Sequence, residues 1–200
     1  MCANFIKKHL LYLYPLICLS ANGILFTCAL SSRVAAQDML FGFDMPPKDS
    51  TEAWLLFSDA AMHGNSTAEF EIEDSTATFK GFISLKNDGG IAQAISPEQN
   101  EDWQLYNGVL LRVKGDGKDY ILSLQHDPIT SDGKHLEYRF KTLKDAWIEV
   151  AIDFAELQNT YYDAYITASP IKLDDVRYFT IINAYQEGRF ALQIDWLKLY

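Results

Sequence analysis

The chain has 200 residues, with 17 lysines and arginines against 27 aspartates and glutamates, a formal net charge of −10. An acidic balance of this size repels phosphate backbones and anionic bilayer surfaces, which argues against nucleic acid as a partner. Cys2, Cys18 and Cys28 are all the cysteines and lie close to the amino terminus, so the rest of the chain has no disulfide or thiol chemistry to use.

Lys7 and Lys8 precede a largely apolar run over residues 10–30, and Val34-Ala35-Ala36 then offers the small side chains that a signal peptidase accepts. Residues 1–36 are read as a secretory signal, with export to the periplasm. The run is also long enough to cross a bilayer, so an uncleaved anchor is the competing reading. Pro15 and Ser20-Ala21-Asn22-Gly23 interrupt it and favour the signal. Residues 37–200 then form a single domain, large enough for a core without covalent staples. Without Lys7, Lys8 and Arg33 the balance is 14 basic against 27 acidic side chains, 14 − 27 = −13.

Beyond Gln37, short apolar runs alternate with Gly, Asp, Asn and Pro, and no sustained helical period occurs. Residues 40–43 predict a first strand, ended by Met45-Pro46-Pro47, and residues 54–57 a second. Residues 70–73 and 76–85 form a hairpin around Asp74-Ser75, with a phase change from Phe79 that predicts a bulge near Gly81. Residues 91–95 are another short strand.

The richest stretch is 106–125, where Asp116-Gly117 separates two apolar runs as the turn of a two-residue hairpin would. Pairing through that turn sets Val113 opposite Tyr120, Leu111 opposite Leu122 and Val109 opposite Leu124. The other face carries Arg112, Lys114, Asp119, Ser123 and Gln125, with Leu110 and Ile121 as exceptions, and a one-residue slip would undo the sorting. Further strands follow at 136–142, 147–154, 176–183 and 189–200, the last with Phe190, Leu192, Ile194 and Trp196 on one side. Residues 158–174, with Tyr161, Tyr162, Tyr165 and Pro170, read as a long ordered surface loop. About ten strands without helical crossovers predict an all-β domain, two antiparallel sheets packed as a jelly-roll sandwich.

Several blocks in this order carry a family resemblance. Trp54, Ser58-Asp59-Ala60-Ala61-Met62-His63-Gly64-Asn65-Ser66, Phe79-Lys80-Gly81, Gly89-Gly90-Ile91-Ala92, Tyr106, Leu111-Arg112-Val113-Lys114-Gly115-Asp116-Gly117, Phe140, Trp147 and Ile194-Asp195-Trp196 together resemble the complex I intermediate-associated protein 30 family over residues 40–200. The resemblance implies a galactose-binding-like β-sandwich. It also implies a non-catalytic, chaperone-like factor that binds protein intermediates during assembly of respiratory NADH:ubiquinone oxidoreductase. On an exported chain the client is left open. His63 departs from the pattern, because the family often has Gly there, a residue freer to adopt unusual φ values.

Asp59, His63, Asn65 and Ser66 are the densest polar cluster in a predicted loop. Such side chains either bind a ligand or, more commonly, cap local backbone groups. Asn87-Asp88-Gly89-Gly90 reads as a structural turn. Arg112, Ser123, Gln125 and Arg139 project from the polar sides of neighbouring strands, where a concave sheet can hold a carbohydrate or peptide and where a solvated outer face is the plainer reading. Two arginines on one face would favour an acidic protein segment or acidic glycan. His126-Asp127 with His135 and Glu137 is a weak metal constellation, better read as a hydrated turn. Trp103, flanked by Glu101, Asp102 and Gln104, is the tryptophan best suited to a sugar platform. No nucleophile elbow or His-x-x-x-His spacing is present, so the domain is read as a binding module with no catalytic residue, metal or cofactor. The partner is a protein, with a carbohydrate-binding module as the alternative.

Overall fold

The computed structural model describes residues 37–44, 53–127, 134–161, 164–165 and 172–200. The predicted signal, residues 1–36, lies outside them. The strands are β1 (Asp38–Gly42), β2 (Leu55–Ser58), β3 (Thr67–Glu73), β4 (Thr76–Ile83), β5 (Ile91–Ile95), β6 (Gly108–Lys114), β7 (Asp119–Gln125), β8 (Lys134–Lys141), β9 (Trp147–Asp153), β10 (Gln158–Tyr161), β11 (Ala164–Tyr165), β12 (Tyr178–Ala184) and β13 (Gly188–Leu199). Short 3-10 turns are the only helical pieces among the described residues.

Two antiparallel sheets result, as expected. A six-stranded sheet has the order β3-β4-β13-β6-β9, with β1 also on β13, and a seven-stranded sheet has the order β11-β10-β8-β7-β12-β5-β2. Phe79, Val109, Leu111, Val113, Leu192 and Ile194 from the first sheet meet Tyr120, Leu122, Leu124, Phe179 and Ile181 from the second in one buried core. Trp54 stacks on Phe70 at 4.5 Å between centroids, with Phe41, Phe43 and Phe179 around it, so aromatic packing also fastens the sheets at the β1–β2 end.

The predicted 106–125 hairpin is corrected in an instructive way. Val109, Leu111, Val113, Tyr120, Leu122 and Leu124 are all inward and fully buried, yet β6 and β7 do not pair. β6 lies between β13 and β9, whereas β7 lies between β12 and β8 in the opposite sheet. Residues 115–118 therefore step across the edge of the sandwich. Gly115 permits this because a Cβ there would lie 2.1 Å from the Thr142 hydroxyl oxygen. Asp116 fastens the crossing by accepting from the Lys118 N–H at 3.1 Å, the Tyr120 hydroxyl at 3.2 Å and the Ala191 N–H at 3.2 Å.

Three more expectations change. Gly81 is not a bulge: it pairs in register with Ala68 and Phe190, and its Cβ position lies 2.0 Å from the Thr67 carbonyl oxygen. The outward Phe82, not a shift of phase, produced the broken alternation. The bulge falls instead between Ile194 and Trp196, so β13 buries Phe190, Leu192 and Ile194, then Leu197 and Leu199, and turns Trp196 outward. Within 158–174, residues 158–161 and 164–165 form β10 and β11, strands too short and, in β10, too polar to show the apolar alternation that would announce them. The β3–β4 hairpin is as predicted, with Glu73 opposite Thr76 and both Asp74 and Ser75 at positive φ.

Candidate functional site

Asp59 is the hub of the polar loop that follows β2. Its carboxylate accepts from the Ser66 N–H at 2.8 Å, the Ser66 hydroxyl at 2.5 Å, the Gly90 N–H at 2.5 Å and the Ile91 N–H at 3.0 Å. Burial works to raise the pKa of this carboxyl, but the Ser66 hydroxyl and the backbone donors of Gly90, Ser66 and Ile91 outweigh it and hold the pKa at about 2. Asn87 closes the periphery, donating to the Asn65 side chain at 3.0 Å and to the His63 carbonyl at 3.1 Å. Gly64 and Gly89 leave the room, since a Cβ at either would come within 3.0 Å of the Asp59 carboxylate. His63 itself stands at φ 70°. Of the four residues singled out in the sequence, Asp59 and Ser66 bond directly, Asn65 joins through the Asn87 side chain and His63 enters only by its carbonyl, and the cluster latches the β2–β3 connection to the start of β5.

That latch borders a pocket of about 670 Å³ on the outer side of the seven-stranded sheet. Leu55 and Phe57 of β2, Met62 of the loop, Ile91 and Ile95 of β5, and Tyr185 after β12 give it an apolar lining. His135 of β8 lines it as well, although β7 and β12 separate β8 from β5, so the sheet curves around the space. The registers place Leu55, Ile95, Thr180, Ser123 and Glu137 in one row across the sheet, and Phe57, Gln93, Ile182, Ile121 and Arg139 in the next. Ile121, Ile182 and Ala184 pack with Ile91 into a small second apolar cluster on this side. Leu55, Leu56, Met62 and Tyr185 are each more than 40% exposed.

Ser123, Gln125 and Arg139 all belong to this outer side. Arg139 is exposed, but Ser123 and Gln125 are buried rather than solvated, and Gln125 donates to the Ser123 hydroxyl at 3.1 Å. Beside them the Thr180 hydroxyl is fully buried and has no hydrogen-bond partner. Arg112 is not with them. It stands on the outer side of the six-stranded sheet, because the step at residues 115–118 sends β6 and β7 to different sheets, so the predicted pairing of Arg112 with Arg139 on one face is corrected.

Trp103 is fully buried beside Phe154, which removes it as a sugar platform: its 3-10 turn exposes the polar neighbours and sinks the indole. His126 contacts the Asp175 carbonyl at 2.8 Å and His135 contacts Glu137 at 3.3 Å. Among the described residues no group of three or more His, Cys, Asp or Glu is arranged to hold a metal. The apolar rim is what sequence reasoning missed. A signal was present in the unbroken run Trp54-Leu55-Leu56-Phe57, since a strand that is apolar at every position and lies at an edge must expose part of that surface.

A family model described as complex I intermediate-associated protein 30 matches residues 42–194. A mouse (Mus musculus) protein named complex I intermediate-associated protein 30, mitochondrial, is 24% identical in an alignment of 179 positions that covers 76% of this chain and 53% of that protein. The chain thus spans about half the length of this curated relative. Among solved structures, the family 11 carbohydrate-binding module of a cellulosomal cellulase of Clostridium thermocellum superposes with a TM-score of 0.61 at 14% identity, covering 82% of this chain and 94% of that one. The family 11 module of the same organism in complex with a β-1,3-1,4-mixed-linked tetrasaccharide gives a TM-score of 0.57 at 15% identity, again over 82% and 94%. These likenesses establish the fold as the jelly-roll, galactose-binding-like sandwich.

Proposed function

The chain belongs to the complex I intermediate-associated protein 30 family, and from that membership we propose that it is a non-catalytic, exported binding module that holds an apolar segment of a partner protein in the pocket beside β2. The family supports a chaperone-like part in assembling respiratory NADH:ubiquinone oxidoreductase, or a membrane complex handled in the same way. The observation that carries the reading is the pocket lining: Leu55, Phe57, Met62, Ile91 and Ile95 offer aliphatic and aromatic surface, while Asp59 is engaged internally. Exposed apolar surface of this kind costs solubility unless a partner covers it. Isothermal titration with a soluble peptide carrying a leucine-valine run between charged ends tests it. Binding is expected for the native protein and loss of binding for Leu55→Asp, with the melting temperature unchanged. Undiminished binding in Leu55→Asp would remove the pocket from the model.

A second reading, a carbohydrate-binding module, is favoured by one observation. Arg139 stands exposed on the same side of the sheet as the buried polar groups of Ser123, Gln125 and Thr180, a planar donor that a hydroxyl-bearing ligand can reach. Titration with the mixed-linked tetrasaccharide separates the two readings. Heat from the sugar that Arg139→Ala abolishes, with none from the peptide, would make this the function.

A further inference from the structure

We propose that the outer face of the six-stranded sheet is a second docking surface, built to hold a carboxylate-rich segment of a partner protein. It lies on the sheet opposite the pocket and does not depend on the function proposed there. The face is organised by the bulge at Asp195. By inserting one residue opposite β6, the bulge sets Trp196 in register with Arg112 and lets the Asp195 carboxylate meet the Arg112 guanidinium on the outside. Arg112 Nη1 donates to Asp195 Oδ2, and its guanidinium lies over the Trp147 ring at 5.3 Å. Trp147 also lies under Lys114 at 5.4 Å, and Lys198 sits over Trp196 at 4.2 Å.

The registers make this one continuous patch. Lys114 lies between Gln193 and Trp147, Arg112 between Trp196 and Glu149, and Leu110 between Lys198 and Ala151. Two indoles are thus covered by three cations. A tryptophan whose face already carries a cation is a support for that cation, not a free platform for a sugar ring. Arg112 is held from two sides while 42% of its side chain stays exposed, and the rest of its donor fork has no partner among the described residues. Among those residues neither Lys114 nor Lys198 has a carboxylate partner. Lys80, on β4 of the same sheet, shows the contrast, since it is paired with Glu71 at 2.6 Å and Glu69 at 3.6 Å.

Charge complementarity names the occupant. On a chain of net charge −10, three cations gathered over two indoles outnumber Asp195 and Glu149 beside them and form a local positive island in a negative field. A pre-positioned guanidinium accepts a planar carboxylate in a paired geometry, and the flanking ammonium groups suit neighbouring carboxylates along an extended segment. The surrounding acidic surface turns away anything negative that does not reach the island, which gives selectivity against bulk polyanions.

The experiment is fluorescence anisotropy of a labelled hexaglutamate peptide titrated with the purified protein at low salt. Binding that weakens as salt rises is expected. Lys114→Ala combined with Lys198→Ala should weaken binding about tenfold or more, while Lys80→Ala leaves it unchanged. Arg112→Lys, which keeps the charge and loses the fork, should weaken binding by roughly threefold without lowering the melting temperature. Three results would overturn the proposal. They are no hexaglutamate binding, equal binding in the double lysine variant, and an oligothymidylate that binds as tightly with the same lysine dependence. A dimer that dissociates in the double variant would show that a second copy of this chain occupies the face, and would also overturn it. Leu55→Asp, the pocket variant, should leave hexaglutamate binding intact, so the two surfaces fail or survive separately.

Discussion

Ser66 donates twice to Asp59, through its N–H to one carboxylate oxygen and through its hydroxyl to the other, at 2.8 Å and 2.5 Å. The same hydroxyl oxygen accepts the Ser84 N–H at 3.0 Å, so one small side chain ties the loop after β2 to the end of β4. Asp59 reaches on to Gly90 and Ile91 at the head of β5. Four segments meet at these two residues, and two of them, the Asp59 loop and the head of β5, line the apolar pocket.

The first prediction concerns acid. Asp59 has a carboxyl pKa lowered from 3.8 to about 2, so its ionised form stabilises the fold. By linkage that contribution is complete above the unfolded value near 4 and is lost as pH falls through about 2, and it amounts to about 2 kcal/mol. Asp59→Asn should remove at least that much at neutral pH, because the amide turns a donor toward backbone N–H groups. Urea unfolding at pH 7 and pH 3 checks both statements, with the native protein losing stability between them and the Asn variant losing less.

Leu111 and Arg112 are neighbours on β6 with opposite duties. Leu111 is fully buried in the core, whereas Arg112 lies on the outside with a partly exposed ion pair. Leu111→Ala should cost roughly 2–5 kcal/mol and Arg112→Ala under about 1 kcal/mol in denaturant unfolding. A larger loss at Arg112 would mean that its contact with Asp195 holds the bulge in place.

His63 holds a left-handed conformation at φ 70° that glycine adopts without steric cost. His63→Gly should therefore raise stability by up to about 1 kcal/mol, net of the entropy glycine adds to the unfolded chain. Its neighbour responds in the opposite sense. Gly64→Ala places a Cβ 2.0 Å from the Asp59 Oδ1 and should lower the melting temperature sharply.

Export with removal of residues 1–36 is the proposal for the amino-terminal segment. Amino-terminal sequencing of the protein recovered from a bacterial periplasm should begin at Gln37. An intact Met1 on membrane-bound protein would establish an anchor in its place.

Alternation proved a good guide to sides and a poor guide to neighbours. Val109, Leu111 and Val113 on β6 and Tyr120, Leu122 and Leu124 on β7 face inward whether the two strands pair in one sheet or face each other across two. Period two records which way a side chain points, and both arrangements satisfy it. The deciding residues were Gly115 and Thr142, distant in sequence and in contact in space. The bulge was more accessible: after Ile194 the next buried residues are Leu197 and Leu199, and that odd spacing already demands one extra residue. The polar loop at 59–66 was legible because Asp, Asn, Ser and Gly are turn formers on their own account. Of the pocket only the rim was legible, in the unbroken apolar run at 54–57, because its depth is made by the curvature of a whole sheet and no local pattern encodes that curvature.

The central position of β13 has a consequence for the order of events at birth. This strand joins β4 to β6 and also carries β1, so the six-stranded sheet is three separate pieces until β13 is added. Every one of those pieces emerges from the ribosome before it. The β3–β4 hairpin and the β6–β9 pair must therefore wait, with their apolar sides uncovered, for the last strand of the sandwich to be made. Closure of the six-stranded sheet thus comes after every other strand pairing on it, and β13 is the piece that converts three partial surfaces into one.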